Sequence, residues 1–257
     1  MLKGKDLISI HNLSADEVYE ILDFAADLKV MQKTGIPHRY LEGKTLGMIF
    51  EKSSTRTRVS FEVGMFQLGG SALFLSNRDL QLGRGEPIKD TARVLSRYLD
   101  GIMIRTFGHE RIVELAKYAD IPVINGLSDL LHPCQVLTDL LTIREHKGKN
   151  FRALKMAYVG DGNNMTNSYL YGAAKVGMNL TVATPANYKP NAEVFENALT
   201  DAEETKAELV WTENPVDAVK DADIIATDTW ASMGQEAEHD ERKKIFAPYQ
   251  VNTELLK

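Results

Sequence analysis

The segment Thr45-Leu-Gly-Met-Ile-Phe50, which leads into Ser53-Ser-Thr-Arg-Thr-Arg58, decides the fold class. A short apolar run that passes through Ser and Thr residues into an amphipathic stretch is typical of a buried strand followed by a helix. The same alternation continues along the chain after the Gly35-Ile-Pro37 break. The sequence therefore predicts βαβ units around parallel sheets, which is an α/β fold.

Strands are predicted at eight apolar runs, which are Thr45–Phe50, Ser71–Leu75, Gly101–Ile104, Ile121–Ile124, Leu154–Val159, Leu180–Ala183, Leu209–Thr212 and Ile224–Thr227. The capping box of Ser14 and Glu17 predicts a first helix that runs to about Lys33. Further helices are expected near residues 56–68, 87–99, 109–119, 135–146, 165–176, 191–208 and 215–220. A polar helix is expected after Gly234.

The helix stop at Lys147-Gly148-Lys149 divides these elements into two groups. We predict two lobes, each a parallel sheet of about four strands covered by helices, with the first at residues 1–147 and the second at residues 148–257. The second lobe is expected to be incomplete at its C-terminus, because the segment Tyr249–Lys257 begins an element and then stops.

Composition and charge exclude several classes of protein. The 257 residues are 44% hydrophobic and 26% charged, which is ordinary for a globular protein and excludes disorder. The net charge of −6, without a long run of either sign, gives no footprint for nucleic acid or an anionic membrane. No stretch approaches the roughly 18 apolar residues of a membrane helix. The lone Cys134 excludes a disulfide framework, so we expect a cytoplasmic protein.

Polar residues follow each predicted strand of the first lobe, where open α/β sheets bind their ligands. In chain order these residues are Ser53–Arg58, then Ser76, Asn77, Arg78 and Gln81, then Arg105, then Asn125 with His132 and Gln135. Because the carboxyl ends of parallel strands lie at one edge of the sheet, we expect these donors and guanidinium groups to face that edge.

The segment Ser54-Thr-Arg-Thr-Arg58 lies where a strand turns into a helix. Free backbone N–H groups, hydroxyls and an Arg fork can meet there, which suits a phosphate group. The alternative is a Ser/Thr helix cap followed by two solvated arginines. Arg105 ends an apolar run and could be a snorkelling surface residue, but the nearby Ser/Thr/Arg segment favours a role as an anion ligand.

His132 precedes a predicted helix that begins with Pro133. The positive end of the helix dipole favours a neutral imidazole, which can donate a hydrogen bond to a developing oxyanion. The alternative is a histidine that binds a loop carbonyl. Cys134 has no catalytic partner in the local sequence and is interpreted as a small buried residue.

The turn Gly160-Asp-Gly-Asn-Asn164 of the second lobe only partly matches a dinucleotide fingerprint. Met165 replaces the third glycine, and no acidic residue follows the next predicted strand, so NAD is rejected. Asn163 and Asn164 remain good neutral partners for a carboxylate. Asp228 follows the last predicted strand and is either a solvated loop residue or a ligand for an ammonium group.

These motifs resemble those of the aspartate/ornithine carbamoyltransferase family, and the resemblance covers essentially the whole chain. Ser54-Thr-Arg-Thr-Arg58 and His132-Pro-Cys-Gln135 are similar to the carbamoyl-phosphate motifs shared across the family. Asp228-Thr-Trp-Ala-Ser-Met-Gly234 is similar to the D-x-W-x-S-M-G loop of its ornithine branch, and Asn163-Asn164-Met165 supports that branch.

The resemblance implies transfer of a carbamoyl group from carbamoyl phosphate to the side-chain amine of L-ornithine, without a metal or organic cofactor. It implies catalytic roles for Arg105 and His132. The residues implied to bind carbamoyl phosphate are Ser54, Thr55, Arg56, Thr57, Gln81, Arg105, His132 and Gln135, and those implied to bind ornithine are Asn164, Asp228, Ser232 and Met233. Gln81 resembles a residue that reaches into a neighbouring subunit's site, which implies a homotrimer or a multiple of trimers.

The chain departs from the family pattern at its end. The ornithine branch continues to a His-Cys-Leu-Pro loop, which contacts the side-chain amine of ornithine, and then to a terminal helix. Neither follows Lys257 in this sequence. Two alternatives stay open at this point: a non-catalytic carbamoyl-phosphate-binding fragment, or a carbamoyltransferase that uses another amine acceptor.

Overall fold

The structure is a computed structural model that describes residues 2–78, 80–231 and 239–257, with no side chain described for His239. It contains two compact units, which meet in sequence between Gln135 and Val136. The sequence predicts the domain boundary one helix further on, after residue 147, and that boundary stays a prediction. None of the helices described is long and apolar enough to cross a membrane.

Helices and strands alternate along the first unit. Its elements are α1 (Ala15–Thr34), β1 (Thr45–Phe50), α2 (Thr55–Gln67), β2 (Ser71–Ser76), α3 (Ile88–Leu95), β3 (Gly101–Arg105), α4 (His109–Tyr118) and β4 (Val123–Leu127), and α5 (Pro133–Lys147) begins at its end. The predicted capping box is confirmed, because Ser14 Oγ accepts from Glu17 N at 3.1 Å and Glu17 Oε2 accepts from Ser14 N at 2.9 Å.

The four strands of the first unit form one parallel sheet in the order β2-β1-β3-β4. Met48 and Ile49, which are neighbours on β1, pack into different apolar clusters, so both faces of the strand are covered. Burial on both faces explains why β1 reads as a continuous apolar run rather than as alternating apolar and polar residues.

The second unit repeats the alternation. Its elements are β5 (Lys155–Val159), α6 (Asn164–Val176), β6 (Asn179–Ala183), α7 (Ala192–Thr205), β7 (Leu209–Thr212), α8 (Pro215–Val219), β8 (Ile224–Ala226) and α9 (His239–Phe246). The strands form a second parallel sheet in the order β7-β6-β5-β8. One of its apolar clusters joins Ala157 and Val159 of β5 to Phe246 of α9.

The predicted fold class is confirmed: each unit holds a parallel sheet of four strands covered by helices. Most predicted bounds agree with the structure to within one or two residues, and the helix predicted at 191–208 ends three residues early, at Thr205. Two elements differ more. The fourth strand is Val123–Leu127 rather than Ile121–Ile124, and the helix predicted at 87–99 ends at Leu95. Beyond Leu95 the chain turns, because Ser96 Oγ donates to Ala92 O at 2.7 Å and accepts from Asp120 N at 3.0 Å.

Candidate functional site

Each sheet has a switch point, which is the place between two neighbouring strands where the chain changes the direction in which it adds strands. In the first sheet the chain proceeds outward from β1 to β2 on one side and from β3 to β4 on the other. In the second sheet β5 lies between β6 and β8. Crevices outside the carboxyl ends of strands at such a point are the usual ligand sites of open α/β sheets. Ser54–Thr57 and Arg105 lie at the ends of β1 and β3, and Asn163, Asn164 and Asp228 follow β5 and β8. Gln81 instead follows β2, and His132 and Gln135 follow β4.

The loop after β1 brings backbone N–H and hydroxyl groups together at the start of α2. Ser54 is the N-cap of α2, and its Oγ accepts from Thr57 N at 3.2 Å and donates to Thr57 Oγ1 at 3.0 Å. Thr55 and Arg56, the first two residues of the helix, have exposed side chains. The first turn of a helix presents N–H groups without intrahelical partners and carries partial positive charge, so this end of α2 is suited to an anion.

Arg105 supplies the charge of this site. It ends β3, is only 7% exposed, and donates from Nη1 to Thr57 Oγ1 at 3.5 Å. Its Nε is buried without a hydrogen-bond partner among the described residues. Burial, and then the positive charge of Arg56, lower the pKa of the guanidinium to about 10. A buried cation beside a like charge and with an unused donor is stabilised by an anion.

His132 belongs to the same cluster. It precedes α5 and is half-buried, and burial together with the charge of Arg105 lowers the pKa of the imidazole to about 4. The imidazole is therefore neutral at neutral pH, as the sequence predicts, although burial is the larger cause. A neutral imidazole can donate one hydrogen bond to a substrate oxygen.

Cys134 lies two residues further on, within α5. Its thiol donates to Asn125 O at 3.4 Å, and burial raises the pKa of this thiol to about 12. A protonated, hydrogen-bonded thiol is a poor nucleophile. This agrees with the interpretation of Cys134 as a small packed residue.

Gln81 and Gln135 are both exposed. Gln81 begins a short 3-10 helix that ends at Arg84, and Gln135 lies in the first turn of α5. Described contacts join Ser54, Thr57 and Arg105 directly, and electrostatic interactions add Arg56 and His132. The roles of all these residues stay predictions.

Two charged residues that support the anion site were missed by the sequence. Lys52 is 7% exposed, and its Nζ pairs with Asp129 Oδ1 at 3.0 Å and lies 4.7 Å from the centre of the Phe107 ring. Glu51 accepts from Arg111 at 2.6 and 3.0 Å. These pairs connect the loop after β1 to the segments that follow β3 and β4. The sequence offers only one sign of a role for Glu51 and Lys52, which is their position between the end of a strand and the Ser/Thr/Arg motif.

The second unit holds a polar cluster at the switch point between β5 and β8. Asn163 is the N-cap of α6, and its Oδ1 accepts from Met165 N at 2.9 Å and from Thr166 N at 3.4 Å. Its Nδ2 donates to Asp228 Oδ2 at 3.1 Å. Because the helix N–H groups fix the oxygen of the amide, the NH₂ group must face Asp228. Asn164 follows in the first turn of α6 and is half-buried.

Gly162 has a packing role in this turn. Its N–H donates to Tyr188 O at 3.0 Å, and a Cβ at this position would lie 2.3 Å from that oxygen. The close approach of two backbone segments therefore requires a glycine here. Ser232 and Met233, the other two predicted ornithine ligands, lie outside the described residues.

The two units define a class: a parallel α/β protein with a cluster of cationic and hydroxyl groups in its first unit and an amide–carboxylate pair in its second. Comparison with known proteins names the family. Residues 5–145 match the carbamoyl-P binding domain, and residues 152–257 the Asp/Orn binding domain, of the aspartate/ornithine carbamoyltransferases. The chain belongs to the aspartate/ornithine carbamoyltransferase family.

Individual relatives narrow the branch. The ornithine carbamoyltransferase of Carboxydothermus hydrogenoformans is 58% identical over 99% of this chain and 81% of its own length. The solved ornithine carbamoyltransferase of Pyrococcus furiosus superposes with a TM-score of 0.95 at 55% identity, covering 99% of this chain and 81% of that one. The solved anabolic ornithine carbamoyltransferase of Campylobacter jejuni superposes with a TM-score of 0.91 at 42% identity, covering 98% of this chain and 82% of that one. The chain is a transferase of the ornithine branch.

Proposed function

We propose that this chain binds carbamoyl phosphate and L-ornithine and forms L-citrulline and phosphate, a reaction of arginine metabolism. The observation that carries the first half is Arg105, a buried guanidinium with an unused Nε donor beside Arg56 and a helix N-terminus. Phosphate and carbamoyl oxygens together match this set of donors, since both are anionic or become so during the reaction.

The chemistry requires stabilisation of charge. The neutral side-chain amine attacks the carbamoyl carbon and a C–N bond forms. The bond between the carbamoyl carbon and the bridging oxygen breaks, phosphate leaves with the electron pair of that bond, and the proton lost by the amine passes to the leaving phosphate. Negative charge develops on the carbamoyl oxygen, where Arg105 and neutral His132 would donate hydrogen bonds. Ser54, Thr55, Arg56 and Thr57 would hold the phosphate, and no metal or organic cofactor is required.

The second half of the proposal concerns the amino acid. Asp228, oriented by Asn163, would bind the α-ammonium group, and Asn164 would bind the α-carboxylate together with Ser232 and Met233. A diamine such as putrescine lacks the carboxylate and would leave these donors unpaired, so it should be a poor acceptor.

Binding and turnover test the two halves separately. Calorimetry of the chain should show binding of carbamoyl phosphate that weakens as salt rises, and then binding of L-norvaline, which has the α-amino acid group of ornithine without its side-chain amine. A citrulline assay should favour ornithine over putrescine. Comparable kcat/KM values for the two amines would overturn the assignment of the amino acid site. Binding without citrulline would favour the non-catalytic alternative, and no binding of carbamoyl phosphate would overturn the proposal.

We also propose assembly into a homotrimer or a multiple of trimers, with Gln81 reaching a neighbouring subunit. An apolar surface on α2 and the edge strand β2 supports an interface, because Phe66 is 79% exposed and Val59, Val63, Leu73 and Phe74 are also exposed. Exposed apolar surface of this kind marks interaction sites. Light scattering should give a trimer for the parent and a smaller species for Phe66→Glu, and a monomeric parent would refute the proposal.

A cytoplasmic location is proposed from the lone Cys134.

A further inference from the structure

Arg242 is a buried arginine that the sequence does not single out. It lies on α9, is 4% exposed, and its guanidinium lies 4.7 Å from the ring centre of Tyr188 and 5.2 Å from that of Phe246. Burying a cation is costly unless it is paired and its donors are satisfied. The partners of Arg242 therefore indicate what the residue does.

Its two described hydrogen-bond partners come from the two loops of the amino acid site. Nη2 of Arg242 donates to Asp161 Oδ2, in the turn after β5, and Nε donates to the backbone oxygen of Trp230, in the segment after β8. Asp161 lies two residues before Asn163, and Trp230 lies two residues after Asp228. One planar guanidinium thus joins the two segments across which Asn163 binds Asp228.

The surroundings of the guanidinium fix its plane. Tyr188 and Phe246 provide aromatic rings on which it packs, and Phe246 also stacks on Trp230 with 6.1 Å between ring centres. Asp161 is itself anchored, because its backbone oxygen accepts from Thr166 Oγ1 at 2.6 Å. Burial and the charge of Asp228 raise the pKa of Asp161 to about 6, opposed by Arg242. The pair is therefore needed to keep this carboxylate charged.

We propose that Arg242 is a positioning residue for the amino acid substrate. It holds the loop of Asp228 against the turn of Asn163 and Asn164, so that the groups for the α-ammonium and α-carboxylate keep a fixed separation. This inference rests on the proposed function for the identity of the ligand. Arg242 is expected to affect amino acid binding and not carbamoyl phosphate binding, whose proposed ligands all lie in the first unit.

The test compares Arg242→Met with Lys175→Met. Lys175 forms the other buried ion pair described in this unit, to Asp201 Oδ1 at 2.8 Å between α6 and α7, away from both loops. Each variant removes one buried positive charge from its carboxylate partner, so both should lower the melting temperature. Only Arg242→Met should weaken L-norvaline binding, and we expect a loss of about ten- to a hundredfold by analogy with residues that orient the ligands of a metal ion. Carbamoyl phosphate binding should be unchanged in both.

A second measurement does not depend on the substrate. Amide hydrogen exchange of residues 160–164 and 226–231 should be faster in Arg242→Met and unchanged in Lys175→Met. Unchanged exchange, or equal norvaline binding in the parent and Arg242→Met, would overturn the role of Arg242. A parent chain that binds no norvaline would instead refute the proposed function, and the exchange rates would still decide whether Arg242 holds the loops.

A conservative variant keeps the test valid if Arg242→Met does not fold. Arg242→Lys retains the charge but not the planar fork that reaches two acceptors at once. It should recover the melting temperature while norvaline binding stays weak and loop exchange stays fast. Recovery of both binding and slow exchange in Arg242→Lys would show that charge alone suffices and that the fork has no positioning role.

Discussion

Replacing Arg105 with methionine should stabilise the ligand-free protein while weakening its affinity for carbamoyl phosphate. The pKa of Arg105 is lowered from its usual 12.5 to about 10, so the folded state disfavours the charged form. At about 1.4 kcal/mol per tenfold change in proton affinity, this corresponds to roughly 3 kcal/mol. The penalty applies at every pH below about 10, and therefore at neutral pH. Methionine removes the charge but also the contact to Thr57, so we expect a net gain of about 1 to 2 kcal/mol.

Urea unfolding with and without carbamoyl phosphate measures both effects. Carbamoyl phosphate at a hundred times its dissociation constant for the parent should stabilise the parent by about 2.7 kcal/mol and should stabilise Arg105→Met much less. Arg111→Met is the matched control, because Arg111 already has a carboxylate partner in Glu51. That variant should lose stability, on the order of 1 to 3 kcal/mol. A destabilised Arg105→Met, or one that carbamoyl phosphate stabilises as much as it does the parent, would refute the reasoning.

Three further predictions follow from individual side chains. The imidazole of His132 should titrate near pH 4 in an NMR titration. Because its pKa is lowered from 6.5, the free energy of unfolding should decrease as the pH falls from 6.5 towards 4. Titration near 6.5 would contradict the burial of this ring. The thiol of Cys134 should react with Ellman's reagent only after unfolding, and prompt labelling of the native protein would show that its pKa is not raised. Asn163→Ser keeps a helix cap but loses the donor to Asp228, so it should weaken norvaline binding at a cost in stability of less than about 0.5 kcal/mol. The matched cap variant Asn191→Ser should leave binding unchanged, and an equal loss in both would remove Asn163 from the site.

The strands were predictable because burial on both faces leaves a local record. Thr45–Phe50, which is buried over all but its first residue, has the bounds that the sequence predicts. The fourth strand was misplaced because it includes Asn125, a polar residue that the sequence assigns to a loop. Asn125 is fully buried, and its Nδ2 donates to Ile8 O at 2.9 Å, a partner near the start of the chain. No pattern within a short window shows such a contact.

The candidate sites divide in the same way. Ser54 and Asn163 were found because a helix cap is a local motif, and Arg105 because it follows an apolar run. Lys52 and Arg242 were not found, because their partners Asp129 and Asp161 are 77 and 81 residues away in sequence. A buried ion pair between distant segments leaves only two charged residues in the sequence, each indistinguishable from a solvated one.

The two polar clusters differ in how early a growing chain could complete them. The last residue assigned to the anion cluster is Gln135, so all of that cluster is synthesised within the first unit. The hydrogen bond from Asn163 to Asp228 cannot form until β8 and Asp228 have been synthesised, more than sixty residues later. Ribosomes add about 5 to 20 residues per second, and domains generally fold as units during synthesis. The residues that one chain contributes to the proposed carbamoyl phosphate site are therefore all synthesised several seconds before those of the proposed amino acid site, and a ligand bound at that stage would stabilise a nascent chain.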